Sequence, residues 1–176
     1  MAKHVPATKI KLEELVEKVE YLGDIDVSAI DDMSFLFYRS KRKTFYGIET
    51  WDTSRVRNMN FMFSQAKYFD HHIHTWNVSN VETMIGMFER AVRFNQPLGA
   101  WNVSNVKNME QMFYKAEMFN QPLDAWDLKS IKSVSGMFCH AKSFSQNLDS
   151  WKIGNRVVDS LAFKGCKISP KWYKND

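Results

Sequence analysis

Cysteine, glycine and proline are all scarce in this chain, with 2, 7 and 4 copies in 176 residues. The two cysteines, Cys139 and Cys166, supply neither the paired spacing of a zinc site nor a disulfide framework, and both are expected to be reduced thiols. So little glycine and proline excludes collagen-like and low-complexity chains. No run of 18 apolar residues is present, so no segment is expected to span a membrane. The first residues, Met1-Ala2-Lys3-His4-Val5-Pro6, lack the apolar stretch of a secretory signal, which makes a soluble, cytoplasmic protein the expectation. No Gly-rich phosphate loop, nucleophile elbow or carboxylate pair stands apart from the repeat pattern, so neither catalysis nor a cofactor is expected. Charge of one sign does not dominate either. A net charge of +4 and a pI near 9.0 permit an acidic partner but are mild beside typical nucleic-acid binders.

Against these absences stand 13 Phe, 10 Met and 6 Trp, and they are periodic. Trp101-Asn102-Val103-Ser104-Asn105-Val106, followed by Met109, Met112 and Phe113, repeats almost letter for letter 25 residues upstream from Trp76. Another copy starts at Trp51 with Asp52-Thr53-Ser54-Arg55-Val56, Met59, Met62 and Phe63. Ile25 opens a disguised first copy, and Trp126 and Trp151 open a fifth and a degenerate sixth. Every interval is 25 residues except the first, which is 26, its extra length lying in Tyr38–Thr44. Fixed-period similarity of this kind indicates stacked units that share one core, in a single domain over 1–176.

Two patterns follow each other within a repeat. Leu98-x-x-Trp101-x-Val103 alternates as a short strand requires. Val106, Met109, Met112, Phe113 and Ala116 are then spaced by three, three, one and three, the face of a helical or 3₁₀ turn. Ser79 with Glu82 reads as a capping box for that turn, and Phe119-Asn120-Gln121-Pro122 as a return turn with one buried aromatic. Ahead of the repeats, residues 8–23 carry Leu12, Leu15, Val16, Val19 and Leu22 at helical spacing and stop at Gly23. This predicts an amphipathic helix covering the open end of the stack. Repeats are expected over 24–155 and a polar C-terminal cap over 156–176, where Arg156 and Asp159 replace apolar residues and Pro170, Trp172 and Tyr173 follow. The predicted fold is α/β: a right-handed leucine-rich-repeat solenoid of about six 25-residue coils, each a short parallel strand plus a helical turn, with an N-terminal capping helix.

The motif at residues 94–113, Phe-Asn-Gln-Pro-Leu-x-x-Trp-x-Val-Ser-Asn-Val-x-x-Met-x-x-Met-Phe, resembles the BspA-like leucine-rich repeats. More narrowly, it is similar to the 25-residue class first noted in Mycoplasma lipoproteins and bacterial surface proteins. The resemblance covers roughly residues 24–165 and implies a leucine-rich-repeat solenoid and protein binding at a bacterial surface, with a secreted or surface-associated location by analogy. It implies no catalytic residues.

Candidate functional positions are those that face outward. Asp52, Asn77, Asn102, Asp127 and Lys152 each follow a core tryptophan and form a ladder on the strand face, the protein-binding surface expected here. The alternative is polyanion or nucleic-acid binding through the basic loop Arg39, Lys41, Arg42 and Lys43, although no aromatic residues interleave with it and Glu82 interrupts its extension through Arg55, Arg57, Lys107 and Lys132. His71, His72 and His74 resemble a metal tract, but neighbouring side chains in a turn diverge, and no metal is expected. The function expected from sequence is noncatalytic binding of a protein partner by a monomer, with protein ranked ahead of nucleic acid.

Overall fold

Half of the backbone N–H groups in each Met–Phe segment leave their own repeat. In the fourth repeat the N–H groups of Met109, Gln111, Phe113 and Lys115 donate to the carbonyls of Ser133, Ser135, Met137 and Cys139, at 2.8–3.0 Å. The alternate groups stay home: Met112 donates to Met109, Tyr114 to Gln111 and Ala116 to Phe113, at 3.0–3.2 Å. The same alternation recurs in the segments that follow Ile25, Trp51 and Trp76. These relations come from a computed structural model, which describes residues 4–153, 161–167, 170, 171 and 173.

This pattern overturns the predicted solenoid of strands and helical turns. Among the described residues there is one α-helix, α1 (Lys9–Lys18), two 3₁₀ turns (Leu22–Asp24 and Ile48–Thr50) and no sheet. Strand character is confined to single parallel bridges, such as Asn58 with Thr83 and Thr83 with Asn108. A helix would keep all its N–H groups inside the segment, whereas here every second one goes to the neighbouring repeat. The three-residue spacing of Met109 and Met112 is therefore the spacing of consecutive reverse turns. Left-handed residues at the third position of such turns, Phe61 at φ 55° and Gln65 at φ 59° for example, interrupt any regular strand. The predicted strand fails for a related reason. The N–H groups of Trp76, Trp101 and Trp126 close local turns onto Ile73, Leu98 and Leu123 and so are not free for a ladder. Ser79 caps no helix; its N–H donates to Asn77 Oδ1 at 3.1 Å.

The core is nonetheless continuous from repeat to repeat. Phe37, Phe63, Phe88, Phe113, Phe138 and Phe163 form one column of rings, with successive centroids 5.4–5.7 Å apart. A second column, Phe69, Phe94, Phe119 and Phe144, lies 3.7–4.1 Å from the first. Such pairs add about 0.5–1.5 kcal/mol each beyond area burial. The five tryptophans among the described residues are buried, as their inward register predicts, but they also bond. Each indole N–H donates to a carbonyl of the preceding repeat: Trp51 to Leu22, Trp76 to Ile48, Trp101 to Ile73, Trp126 to Leu98 and Trp151 to Leu123, at 2.9–3.1 Å. The Asn-Gln pairs of the return turns form another ladder, in which Asn95 Oδ1 accepts from the Asn120 N–H and from Gln121 Nε2.

The N-terminal helix is present and shorter than predicted. Thr8 caps its start by accepting from the Lys11 N–H, and Leu12 and Val16 are buried against the first repeat. It ends at Lys18, so Val19 and Leu22 belong to the turn that follows, and Gly23 lies within a 3₁₀ turn rather than stopping the helix. Before it, His4 pairs with Ile25 as a parallel bridge, adding a rung ahead of the first repeat. At the other end Phe163 continues the ring column, and the Lys171 N–H donates to Asp149 Oδ1. Arg156, Asp159 and Trp172 of the predicted cap lie outside the described residues.

The left-handed positions give a signed test. Gly86 sits at φ 57°, and a Cβ there would stand 2.4 Å from a Phe61 ring carbon. Gly86→Ala is expected to cost about 1–3 kcal/mol from backbone strain and the displaced ring. Lys115 occupies the other left-handed position at φ 55°. Lys115→Gly relieves strain of about 1 kcal/mol while loosening the unfolded chain by a similar amount, so its effect should stay within about 1 kcal/mol of zero. Urea unfolding of the two variants measures both.

Candidate functional site

The sequence-predicted ladder is present as a row of exposed side chains: Asp52, Asn77, Asn102, Asp127 and Lys152. Four of them share a local task. Asp52, Asn77, Asn102 and Asp127 each accept, through Oδ1, the N–H two residues on, at 3.0–3.2 Å. This is the Asx turn that either a carboxylate or an amide can make, which accounts for Asp and Asn alternating freely in the row. The Ser54 hydroxyl and N–H beside Asp52 hold its carboxyl below the usual range. No large aromatic joins these positions, and acidic residues flank them at Asp24, Glu49, Asp124 and Asp149.

The basic loop divides. Arg42 turns inward and serves the helix: Nη1 donates to the carbonyls of Val16 at 2.6 Å and Val19 at 3.0 Å, Nη2 to Glu20 at 2.8 Å, and Nε to Thr44 at 3.2 Å. The Val16 and Val19 carbonyls are orphaned acceptors in the last turn and C-cap of α1, and Glu20 follows directly, where the helix dipole also favours a cation. Burial lowers the guanidinium pKa without threatening its charge. Lys41 and Lys43 are exposed. Arg39 lies 5.0 Å over the ring of Tyr38 and donates from Nε to Gln65 Oε1. The basic loop therefore does have an aromatic partner, contrary to the sequence reading.

Arg39 opens a feature that sequence reasoning missed. The positions after the core phenylalanine in each repeat stack into one edge of the molecule, and cations and tyrosines interleave along it. Arg90 and Lys115 stand 5.8 and 5.2 Å from the ring of Tyr114, and His140 meets the same ring edge-on at 6.3 Å. Lys67 and Arg93 stand 5.5 and 5.2 Å from the ring of Tyr68. The segments that build this edge are 38–43, 64–68, 89–93, 114–118, 139–143 and 164–167, and apart from the inward-turned Arg42 they hold ten Lys or Arg against two Glu. The edge thus carries a surplus of eight in a chain of net +4, and the rest of the molecule is net negative by four. Both glutamates are engaged: Glu89 accepts from Ser64 Oγ, and Glu117 pairs with Lys142 at 2.8 Å. At the N-terminal end of the edge Phe35 and Tyr38 are 49% and 38% exposed, and Phe35 stacks on Phe61 at 5.0 Å. A legible signal existed. The edge is built from the positions at which the repeats differ, whereas alignment by shared letters draws attention to the core.

Glu82 does interrupt the other basic series. It lies between Arg57 at 3.3 Å and Lys107 at 2.5 Å, and those contacts hold its carboxyl below the usual range. The histidine tract spreads out: the ring centroids of His71 and His72 are 6.1 Å apart, those of His72 and His74 6.0 Å, and His71 Nε2 sits 2.9 Å from Glu49. Among the described residues no three His, Cys, Asp or Glu side chains are placed to hold a metal ion. Cys139 and Cys166 are free thiols. Burial pushes the Cys166 thiol up to about 12, and its Sγ donates to the Phe138 carbonyl, so it is held protonated. No helix among the described residues is long and apolar enough to cross a membrane.

Neither the curated proteins nor the solved structures contain a match to the chain. One family does match, over residues 10–116 and again, in overlapping register, over 73–169, as expected for a repeated unit. The chain therefore belongs to the family described as Mycoplasma protein of unknown function, DUF285.

Proposed function

We propose that this protein is a noncatalytic module that binds a protein partner through its turn edge. The observation that carries the reading is the exposed pair Phe35 and Tyr38, with half-buried Phe61 stacked against Phe35 and Arg39 over the Tyr38 ring. Aromatic and Arg side chains clustered on a rigid surface are the composition of binding hot spots, while the Asp/Asn ladder lacks it and is already engaged in local turns. Within the family, kinship to the BspA-like repeat proteins is part of the same proposal. It rests on the motif at residues 94–113 and carries no claim of a strand-and-helix coil.

The test is affinity capture from the native cell and its host with the natural chain and with Phe35→Asn/Tyr38→Ser, followed by mass spectrometry. Asparagine tolerates the left-handed backbone at Phe35, φ 61°, so the fold is retained. The expected result is a protein whose recovery falls at least about tenfold with the variant. Identical capture by both chains removes the proposal.

A further inference from the structure

We infer that the partner of the turn edge presents an acidic, extended protein segment, which lies along the edge across successive repeats. This rests on the protein-binding reading above and adds the chemistry of what is bound. The edge holds eight of surplus positive charge, while the remainder of the chain is negative, so attraction for an acidic chain is directed to this one side. The cations are also placed in advance. Arg39 is held by Tyr38 and Gln65, Arg90 and Lys115 share Tyr114, and Lys67 and Arg93 share Tyr68. Side chains resting on aromatic faces lose less freedom on binding than free lysines do.

The repeats fix the geometry. The core rings of successive repeats are 5.4–5.7 Å apart, a step about 1 Å shorter than that between alternate residues of an extended chain, a difference the long Lys and Arg side chains of the third, fourth and fifth repeats can span over these few rungs. The same details disfavour a nucleic acid. Single strands bind where aromatic faces are open for base stacking, but here Tyr38, Tyr68 and Tyr114 each already carry a cation.

The probe is a synthetic peptide of about 12 residues alternating Glu and Ala, with a heparin fragment and a single-stranded RNA of similar length as parallel arms. We expect the peptide to bind the full chain and its affinity to fall at least about tenfold between about 50 and 200 mM salt. Arg90→Glu/Lys115→Glu should weaken it by at least about tenfold, and Lys67→Glu/Arg93→Glu gives an independent reversal on the same edge if the first pair fails to fold. Arg55→Glu/Lys132→Glu, an equal charge change on another face, should leave binding within about twofold. Peptide affinity unmoved by both edge reversals overturns the inference. So does heparin or RNA binding at least about tenfold tighter than the peptide through the same cations, which would assign the edge to a polyanion. If instead the Phe35-dependent protein partner is still captured by the Arg90/Lys115 reversal, the acidic segment is excluded while the protein-binding reading stands.

Discussion

Replacing Trp101 by alanine is expected to lower the unfolding free energy by about 3–5 kcal/mol, and replacing it by phenylalanine by about 1–2 kcal/mol. The two numbers separate two roles of one side chain. The ring is 4% exposed and fills the space between repeats, so alanine leaves a cavity and forfeits a large apolar burial. Phenylalanine restores most of that packing but has no N–H for the Ile73 carbonyl, 3.1 Å from Trp101 Nε1. That carbonyl keeps one bond, from the Trp76 N–H at 3.1 Å, and loses the second. The phenylalanine cost is accordingly placed at a single buried hydrogen bond and not higher. Denaturant unfolding followed by tryptophan fluorescence and by circular dichroism measures both variants, and coincidence of the two signals establishes that one transition is being read. Equal losses for alanine and phenylalanine would mean that the indole bond carries most of the effect. A loss below about 1 kcal/mol for alanine would contradict the buried placement altogether.

Arg42→Ala is expected to destabilise the protein by about 2–3 kcal/mol although it removes a side chain from a loop that reads as a basic surface. The guanidinium satisfies the carbonyls of Val16, Val19 and Glu20 at the end of α1 and ties the loop back on itself through Thr44. Without it three acceptors lose their donor at the point where the helix joins the first repeat. Arg42→Lys should recover less than half of the loss, because an ammonium is a point charge and does not span three carbonyls with a planar fork. Thermal unfolding of the two variants against Lys43→Ala, whose side chain is exposed, checks this directly. If all three behave alike, Arg42 is not a cap.

These two residues show what was legible and what was not. The 25-residue period places Trp101 in the core, because a large apolar side chain repeated at constant spacing has to stack on its copies. Nothing in the period says that the indole N–H rather than the backbone N–H makes the bond to the preceding repeat. Arg42 sits among Arg39, Lys41 and Lys43 and looks like one more surface charge. Its partners at the helix end are 22 to 26 residues away, beyond any local pattern. The edge of Tyr38, Tyr68 and Tyr114 was hidden for a similar reason. Each tyrosine has one cation beside it in the sequence, as in Tyr38-Arg39, Lys67-Tyr68 and Tyr114-Lys115, but these pairs lie far apart along the chain, and only stacking brings Arg90 to Tyr114 or Arg93 to Tyr68.

Side-chain periodicity alone settles the repeat length, the register, the residues that face the core and the presence of an N-terminal helix. It did not determine secondary structure within a repeat. A spacing of three, as between Met109 and Met112, states which side chains share a face, and helical turns and consecutive reverse turns satisfy it equally. The choice lies in where the intervening N–H groups point. In this protein the N–H groups of Met109, Gln111, Phe113 and Lys115 find acceptors in the next repeat, and left-handed residues turn the chain so that they can reach them. That choice belongs to the tertiary structure, because the acceptors exist only once the neighbouring repeat is in place.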